Sequence, residues 1–283
     1  RTLQAMGHAD AARRPSASES FSLLAEDASA PLIPKLEALR EGTVYGGYIG
    51  RADVLASVER LLSPKAAASS RLTISGPCGT GRTATGYEIA SRASLWGMRV
   101  PGTVRPARGG ALDTLLELSR ELVSPEAQQA IEARVAAHPD TPWSIFSALT
   151  QAFTENVEDA LVVIWDDVPE DSVLSAFGAF LERRGDASPR IAWVELTRER
   201  RDDTQGCVHL SAMGEPEVGA LLEAARPLRP EDTRAAEAIM ALSGGNPRLI
   251  FRLLERFPGP ALLDAIQSGT LALDEDESTR LQA

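Results

Sequence analysis

Lysine, cysteine and long apolar runs are all scarce in this 283-residue chain. Only Lys35 and Lys65 are lysines among 29 basic residues, so arginine is its general cation. Cys78 and Cys207 are too few for a disulfide framework, and no Cys/His cluster has metal-site spacing. No stretch reaches the ~18 consecutive apolar residues of a membrane helix, and no signal segment opens the chain. We therefore expect a cytoplasmic protein with no membrane partner.

An excess of positive charge is also missing, because the formal net charge is −11 and the pI is about 4.9. Proteins that bind nucleic acid over a broad surface carry a basic footprint, so we expect no nucleic-acid partner. The chain begins at Arg1 without a methionine and closes on a polar, acidic stretch at 274–279. We expect it to be a fragment of a longer polypeptide.

Strand-like apolar runs alternate with helical patterns over most of the chain. The runs lie at 72–74, 98–104, 161–165, 191–196 and 207–210, and helical spacing is found at 52–62, 82–95, 111–122, 126–137, 142–157 and 172–184. A continuous run such as 161–165 is typical of a strand buried on both faces of a parallel sheet. This alternation predicts an α/β domain with a parallel sheet.

The last quarter of the chain contains helical patterns only, at about 215–225, 231–242, 247–257 and 260–268. A purely helical run after an α/β domain predicts a smaller appended helical domain. The predicted organisation is a linker or tail of a preceding domain at 1–45, an α/β domain at 46–212, a helical lid at 213–270 and a polar tail at 271–283.

A glycine-rich turn follows the 72–74 run and has the sequence Gly76-Pro77-Cys78-Gly79-Thr80-Gly81-Arg82-Thr83. Such a turn binds phosphate because consecutive backbone N–H groups face the anion and the next helix adds its positive end. Glycine lets the backbone turn tightly against the ligand. The spacing matches the P-loop pattern G-x-x-x-x-G-K-[ST], in which the final hydroxyl binds Mg²⁺. We predict that residues 76–83 bind ATP or ADP; the alternative is a strand-to-helix turn with no ligand.

The P-loop position that is usually lysine is Arg82 in this chain. The guanidinium is bulkier and planar, with a rigid fork of donors, whereas the lysine ammonium is compact on a flexible stem. A general replacement of lysine by arginine in this chain is one explanation for Arg82. A requirement for hydrolysis should, however, preserve lysine at this position. We expect Arg82 to contact nucleotide and hydrolysis to be weak or absent.

Acidic and basic side chains follow the next two predicted strands. Asp166 and Asp167 end the 161–165 run, where one carboxylate would hold Mg²⁺ with Thr83 and the next would orient the attacking water. The alternative is a solvated turn at the strand end. Arg198 ends the following strand and is predicted to face the terminal phosphate; an exposed arginine in a charged run would look the same.

The stretch 243–248, Ser-Gly-Gly-Asn-Pro-Arg, separates two predicted helices of the lid. Its glycines suit the end of one helix, and Asn246 with Pro247 suits the start of the next. Capping alone would explain this string. Arg248 is nevertheless placed to project toward bound phosphates.

Taken in order, these motifs resemble those of the signal-transduction ATPases with numerous domains (STAND), which are related to AAA+ and origin-recognition-type ATPases. The stretch 48–55, Tyr-Ile-Gly-Arg-Ala-Asp-Val-Leu, is similar to the family's opening box F-V-G-R-E-x-E-L, which implies that Gly50 and Arg51 lie near the adenine. The resemblance covers about 46–258. It also implies phosphate contacts from Gly76, Gly79, Thr80, Gly81, Arg82 and Thr83, a Walker B role for Asp166 and Asp167, a sensor role for Arg198, and lid contacts from Pro247 and Arg248.

The resemblance implies a regulatory switch within a larger multidomain signalling protein, with ATP or ADP and Mg²⁺ bound between sheet and lid. Its implied partners are other domains of the same polypeptide or signalling proteins, and it allows a nucleotide-dependent oligomer. Arg82 departs from the family pattern and places hydrolysis in question. The alternatives are a nucleotide-free scaffold for protein–protein interaction and a DNA-associated ATPase.

Overall fold

The structure is a computed structural model that describes residues 48–63, 69–102, 104–106, 111–138, 142–158, 160–169, 172–184, 189–198, 206–225, 233–257 and 260–268. The chain divides into two compact units, Arg1–Gly46 and Gly47–Ala283, and all described residues belong to the second. The predicted linker at 1–45 and polar tail at 271–283 lie outside the described residues.

A five-stranded, fully parallel sheet is the centre of the described unit. Its strands are β1 (Ser70–Ser75), β2 (Arg105–Pro106), β3 (Leu161–Asp166), β4 (Ile191–Thr197) and β5 (Cys207–His209), in the order β2-β3-β4-β1-β5. Because β4 lies between β1 and β3, the carboxyl ends of these three strands are neighbours at one edge of the sheet. The predicted α/β class with a parallel sheet is confirmed.

The predicted strand at 98–104 is wrong in its position. Arg99 makes only an isolated parallel bridge to Leu161, and the paired strand is the two-residue β2 farther along. Pro101 lacks a backbone N–H, and Gly102 has a φ of +66°, so a regular ladder cannot continue through them. The apolar run alone did not show this interruption.

Helices cover both faces of the sheet, and the side chains of the strands alternate between two cores. The helices are α1 (Ala52–Leu62), α2 (Arg82–Leu95), α3 (Ala111–Leu122), α4 (Pro125–Ala137), α5 (Pro142–Asn156) and α6 (Val173–Arg184). Along β3, Leu161, Val163 and Trp165 pack with α3–α6, whereas Val162 and Ile164 pack with α1 and α2. Successive side chains of the strand point to opposite faces, and both faces are buried, so the run is apolar at every position.

A third core belongs to the helices that follow the sheet, α7 (Glu215–Ala225), α8 (Thr233–Ser243), α9 (Pro247–Arg256) and α10 (Pro260–Gln267). We call α7–α10 the helical segment. Val218, Ile239, Ile250 and Leu253 are its fully buried centre, and Ile49 packs against it from before α1. None of the helices in the described ranges has the length and apolarity that a membrane span requires.

A buried ion pair joins β1 to β4 inside the sheet. Glu195 is fully buried, and its carboxylate accepts hydrogen bonds from Arg71 Nε (3.0 Å) and Arg71 Nη2 (2.8 Å). Trp193 Nε1 donates to the same carboxylate at 3.0 Å, and the Ser175 hydroxyl donates at 3.3 Å. A charge buried this deeply is tolerated because several donors satisfy it. No local sequence pattern predicts this network, because Arg71 and Glu195 are 124 positions apart in the chain.

Candidate functional site

The glycine-rich turn joins the carboxyl end of β1 to the start of α2 at the edge of the sheet described above. Gly79 (φ +82°) and Gly81 (φ +94°) are in the left-handed region, which glycine adopts without steric cost. At Gly76 the backbone passes so close to the Thr80 hydroxyl that an added Cβ would lie 2.7 Å from its oxygen. The predicted geometry of residues 76–83 as a tight turn between strand and helix is therefore present.

Each carbonyl oxygen from residue 76 to residue 81 accepts a hydrogen bond. The donors are Arg82 Nη1 to Gly76 O (3.0 Å), Thr80 Oγ1 to Pro77 O (2.8 Å), Asn246 Nδ2 to Cys78 O (3.1 Å), Arg248 N to Gly79 O (3.2 Å), Arg51 Nη2 to Thr80 O (3.2 Å) and Thr85 N to Gly81 O (2.8 Å). Side chains and backbone from three separate parts of the chain thus meet on the carbonyl groups of this turn.

The N–H groups of the same turn show the opposite pattern. Within the described residues, the N–H groups of Cys78, Gly79, Gly81, Arg82 and Thr83 have no hydrogen-bond acceptor. A buried backbone N–H that bonds neither to the protein nor to water or a ligand lowers the stability of the fold. A turn that has paired its acceptors and kept its donors free is suited to an anion.

Thr83 and Asp166, the two predicted metal ligands, lie together. The Thr83 hydroxyl donates to Asp166 Oδ2 at 2.6 Å, and the backbone N–H of Asp167 donates to Asp166 Oδ1 at 2.9 Å. One hydroxyl and one carboxylate are oxygen ligands of the kind Mg²⁺ prefers, with phosphate oxygens and water completing the shell. Among the described residues, no group of three or more His, Cys, Asp or Glu could hold a metal without such help.

Arg82 does not extend along the turn but crosses to Asp167. Its Nη2 donates to Asp167 Oδ1 at 3.0 Å, while its Nη1 holds the carbonyl of Gly76. The planar fork of a guanidinium can satisfy a carboxylate and a carbonyl together, which a single ammonium does less well. Only 9% of the Arg82 side chain is exposed. In this structure the partners of Arg82 are therefore Asp167 and Gly76 O, and the predicted contact of Arg82 with nucleotide stays a prediction.

Arg198 reaches the same carboxylate from the end of β4. Its Nε and Nη2 donate to the two oxygens of Asp167, both at 3.1 Å. The hydrogen bond with Asp167 raises the pKa of Arg198 above its ordinary value. Asp167 itself has a φ of +56°, a left-handed conformation that aspartate and asparagine adopt more readily than most residues. The predicted catalytic pair is therefore in contact, as an ion pair.

The loop between α8 and α9 touches the tip of the glycine-rich turn. Asn246 caps α9 by accepting a hydrogen bond from Arg248 N, and it also donates to Cys78 O. Pro247 is buried as the first residue of α9. The Arg248 side chain lies beside the same tip, with Nη1 3.8 Å from Cys78 Sγ. The capping that the sequence suggested for Asn246 and Pro247 is found here, and a contact of Arg248 with bound phosphates stays a prediction.

The opening box approaches the turn from the other side. The Tyr48 hydroxyl bonds Thr85 Oγ1 at 2.7 Å, and burial raises the pKa of this phenol above its ordinary value. Gly50 (φ +76°) and Arg51 (φ +62°) form two left-handed steps before α1. Arg51 is buried and supplies the hydrogen bond to Thr80 O described above.

Glu217 also belongs to this region, although it was not among the residues predicted from the sequence. Its Oε1 accepts from Arg51 N at 3.0 Å, and its Oε2 accepts from Gly214 N at 2.9 Å. The second bond is half of a capping box at the start of α7, and a Glu three residues into a helix is its sequence signal. The first bond links the helical segment to the opening box, and no local pattern could have shown it.

No protein-family model matches the sequence, and no curated protein does either. Among solved structures, the chain is similar to Cdc6p from Pyrobaculum aerophilum, with a TM-score of 0.53 and 16% identity over 81% of this chain and 66% of that chain. A STAND protein with a tetratricopeptide repeat sensor from Pyrococcus horikoshii matches with a TM-score of 0.44 and 15% identity over 71% of this chain. AMPPCP-bound DnaA from Aquifex aeolicus matches with a TM-score of 0.42 and 14% identity over 79% of this chain.

This chain spans only part of the length of these proteins, 28% of the STAND protein and 66% of each of the other two. At such identities the similarity concerns the fold and not the chemistry. The chain therefore shares the fold of Cdc6p from Pyrobaculum aerophilum, a parallel α/β sheet followed by helices.

Proposed function

We propose that this chain is a nucleotide-binding regulatory switch, which holds ATP or ADP with Mg²⁺ between the sheet and the helical segment and hydrolyses ATP weakly or not at all. The observation that carries the proposal is the polarity of the turn at 76–83, whose carbonyl groups are paired while its N–H groups lack acceptors. A phosphate group would supply the missing acceptors. The N–H groups of Arg82 and Thr83 are open as in the first turn of any helix, and those of Cys78, Gly79 and Gly81 extend this set of donors back along the turn.

The residues beside the turn fit a Mg²⁺–phosphate group. Thr83 and Asp166 would hold the cation between them, since their oxygens already meet at 2.6 Å. When bound, Mg²⁺ would neutralise phosphate charge. Gly79 and Gly81 keep the loop free of side chains where the anion would approach. Gly50 and Arg51, in the opening box on the other side of the turn, are proposed to border the base.

The proposed switch depends on how the helical segment touches the turn. Asn246 and Arg248 contact the tip of the turn directly, and Glu217 reaches it through Arg51. We call the arrangement in which the helical segment contacts the turn closed, and one without these contacts open. Nucleotide can favour the closed arrangement only if it makes contacts there that the open arrangement lacks. Arg248, beside the tip, is the side chain of the helical segment best placed to make one. The proposed output partners are other domains of the polypeptide or signalling proteins.

Weak hydrolysis follows from the position of Arg82 in the proposed site. The guanidinium contacts Asp167, which is the carboxylate expected to orient the attacking water. Two arginines hold that carboxylate, so it is poorly available as a base or orienting group. The usual P-loop cation is thereby also withdrawn from the phosphates.

The direct test is isothermal titration of ATP and ADP with Mg²⁺ into the wild type and a Gly81→Val variant. Gly81 and Gly97 both have positive φ, and an added Cβ meets nothing within 4 Å at either position. Both valine variants therefore carry similar backbone strain of roughly 1–2 kcal/mol. We expect Gly81→Val to weaken binding at least about tenfold and Gly97→Val to leave it unchanged. A wild type that binds neither nucleotide would refute the proposal.

A second test addresses the role of the helical segment. Asn246→Ala removes a helix N-cap and the bond to Cys78 O, whereas Ser124→Ala removes only an N-cap, that of α4. Each should lower the free energy of unfolding by about 1 kcal/mol. We expect only Asn246→Ala to speed the release of ADP, by about fivefold, in a stopped-flow chase with a fluorescent analogue. Equal release rates would place the nucleotide away from the helical segment.

One observation favours a nucleotide-free scaffold as the second candidate. Arg82, Asp167 and Arg198 satisfy one another, so the described protein needs no ligand to pair these charges. Identical thermal unfolding with and without Mg²⁺–ATP would support that candidate, because a ligand of the folded state must stabilise it.

The expectation that nucleic acid is not a partner rests on charge alone, and salt-dependent binding of a DNA duplex would overturn it.

A further inference from the structure

We infer that Asp167 sets the preference of the proposed site for a nucleoside diphosphate over a triphosphate, by holding the two arginines that a third phosphate would use. This inference rests on the proposed nucleotide site. Its starting point is the cluster of Arg82, Asp167 and Arg198, in which one carboxylate accepts three hydrogen bonds from two guanidinium groups. The carboxylate thus takes the place that an additional anionic group of the ligand would take.

The position of a third phosphate follows from the side chains beside the turn. In P-loop ATPases, the P-loop hydroxyl and the acid at the end of the strand beside it together hold a cation that bridges the last two phosphates of a triphosphate. In this chain those groups are Thr83 and Asp166, which are hydrogen-bonded. Arg82 immediately precedes Thr83, and Asp167 immediately follows Asp166 with its N–H on the Asp166 carboxylate. The third phosphate would therefore arrive beside the ion-pair cluster.

Diphosphate and triphosphate place different demands on this cluster. A diphosphate can use the free N–H groups of the turn while Asp167 keeps both arginines. A triphosphate brings further negative charge next to the Asp167 carboxylate, and the two negative charges repel each other. Arg82 and Arg198 must then be shared between the two anions or leave Asp167. The triphosphate alone bears this cost, so the affinity ratio shifts toward the diphosphate.

Exposure limits the size of the effect. Arg198 is 67% exposed and Asp167 is 50% exposed, so solvent weakens their attraction, whereas Arg82 is nearly buried. We therefore expect wild-type protein to bind Mg²⁺–ADP about tenfold more tightly than a non-hydrolysable Mg²⁺–ATP analogue. A tenfold ratio of dissociation constants is at the lower end of typical coupling effects. A non-hydrolysable analogue keeps turnover from altering the ligand.

The test is isothermal titration of both ligands into Asp167→Asn, with Asp167→Gly as a second variant. Asparagine and glycine both accept the left-handed backbone found at this position, so both variants are expected to fold. We expect the triphosphate to bind about tenfold more tightly in each variant and the diphosphate to change by less than about twofold. Glu132→Gln, which removes the carboxylate of an exposed pair with Arg120, serves as the matched control with an unchanged ratio.

A double-mutant cycle attributes the effect to the arginine contacts. In an Arg198→Gln background, Asp167→Asn should change the affinity ratio by less than half as much, because one of the two contested cations is gone. Wild-type protein that binds ADP, combined with an unchanged ratio in both Asp167 variants, overturns the inference and leaves the proposed function standing. Binding of neither nucleotide by the wild type overturns the proposed function, and the inference with it.

Discussion

Replacing Arg82 with lysine is expected to raise the rate of ATP hydrolysis by about 10²-fold, the range associated with one well-placed electrostatic stabiliser. The guanidinium now bridges Gly76 O and Asp167 Oδ1, which are bonded to two different nitrogens. A single ammonium on a flexible stem does not maintain that bridge and can turn toward the phosphates. The substitution should therefore restore the usual P-loop cation and release one partner of Asp167 at the same time. Steady-state phosphate release with Mg²⁺–ATP measures the change.

Arg92→Lys is the matched control for this experiment, because Arg92 lies on the same helix and pairs with Glu88 and Glu59 near the far end. Its phosphate release should equal that of the wild type. An Arg82→Lys rate at or below the wild-type rate would show that the arginine does not suppress hydrolysis. The proposed weak turnover would then need another cause.

Removing the carboxylate of Glu195 is expected to cause the largest loss of stability, about 3–5 kcal/mol in the free energy of unfolding. Glu195→Ala leaves the guanidinium of Arg71 buried, with only 8% of its side chain exposed and without its counter-charge. It also removes the acceptor of Trp193 Nε1. Urea unfolding followed by circular dichroism measures the loss, with the midpoint and slope analysed separately.

Two comparisons separate charge from packing in that result. Glu88→Gln breaks a partly exposed pair with Arg92 and should cost less than about 1 kcal/mol. The double variant Arg71→Met/Glu195→Leu should recover part of the lost stability, because it removes both buried charges together. A double variant that is less stable than Glu195→Ala would argue that the ion pair itself, and not the unpaired charge, determines the effect.

The pattern of the sequence predicted most of the fold because it is periodic. Apolar runs of strand length located β1, β3, β4 and β5 to within two residues, and spacing at helical intervals located the helices that cover them. The failure was β2, a two-residue edge strand next to Pro101 and Gly102, where a short apolar run was mistaken for a ladder. Two residues carry too little periodic signal to be recognised.

Parts of the candidate site were predictable for a different reason. The carboxyl ends of parallel strands lie at one edge, so Gly76, Asp166 and Arg198 had to come near one another once the sheet was parallel. The direction of Arg82 was not predictable, because it depends on the distance between Asp167 and the start of α2. Glu195 and Glu217 were missed since their partners, Arg71 and Arg51, are distant in the sequence and meet only in the folded chain.

The hydrogen bonds on the carbonyl side of the turn have one more consequence. A carbonyl oxygen and the next residue's N–H belong to one peptide group. A hydrogen bond donated to the oxygen polarises that group and strengthens a hydrogen bond from its N–H by ~10–30%. Asn246 acts in this way on Gly79 N–H through Cys78 O, and Arg51 acts with a full positive charge on Gly81 N–H through Thr80 O. The helical segment and the opening box would therefore tune phosphate affinity electronically, through carbonyl contacts of Asn246 and Arg51 that do not involve the phosphates themselves.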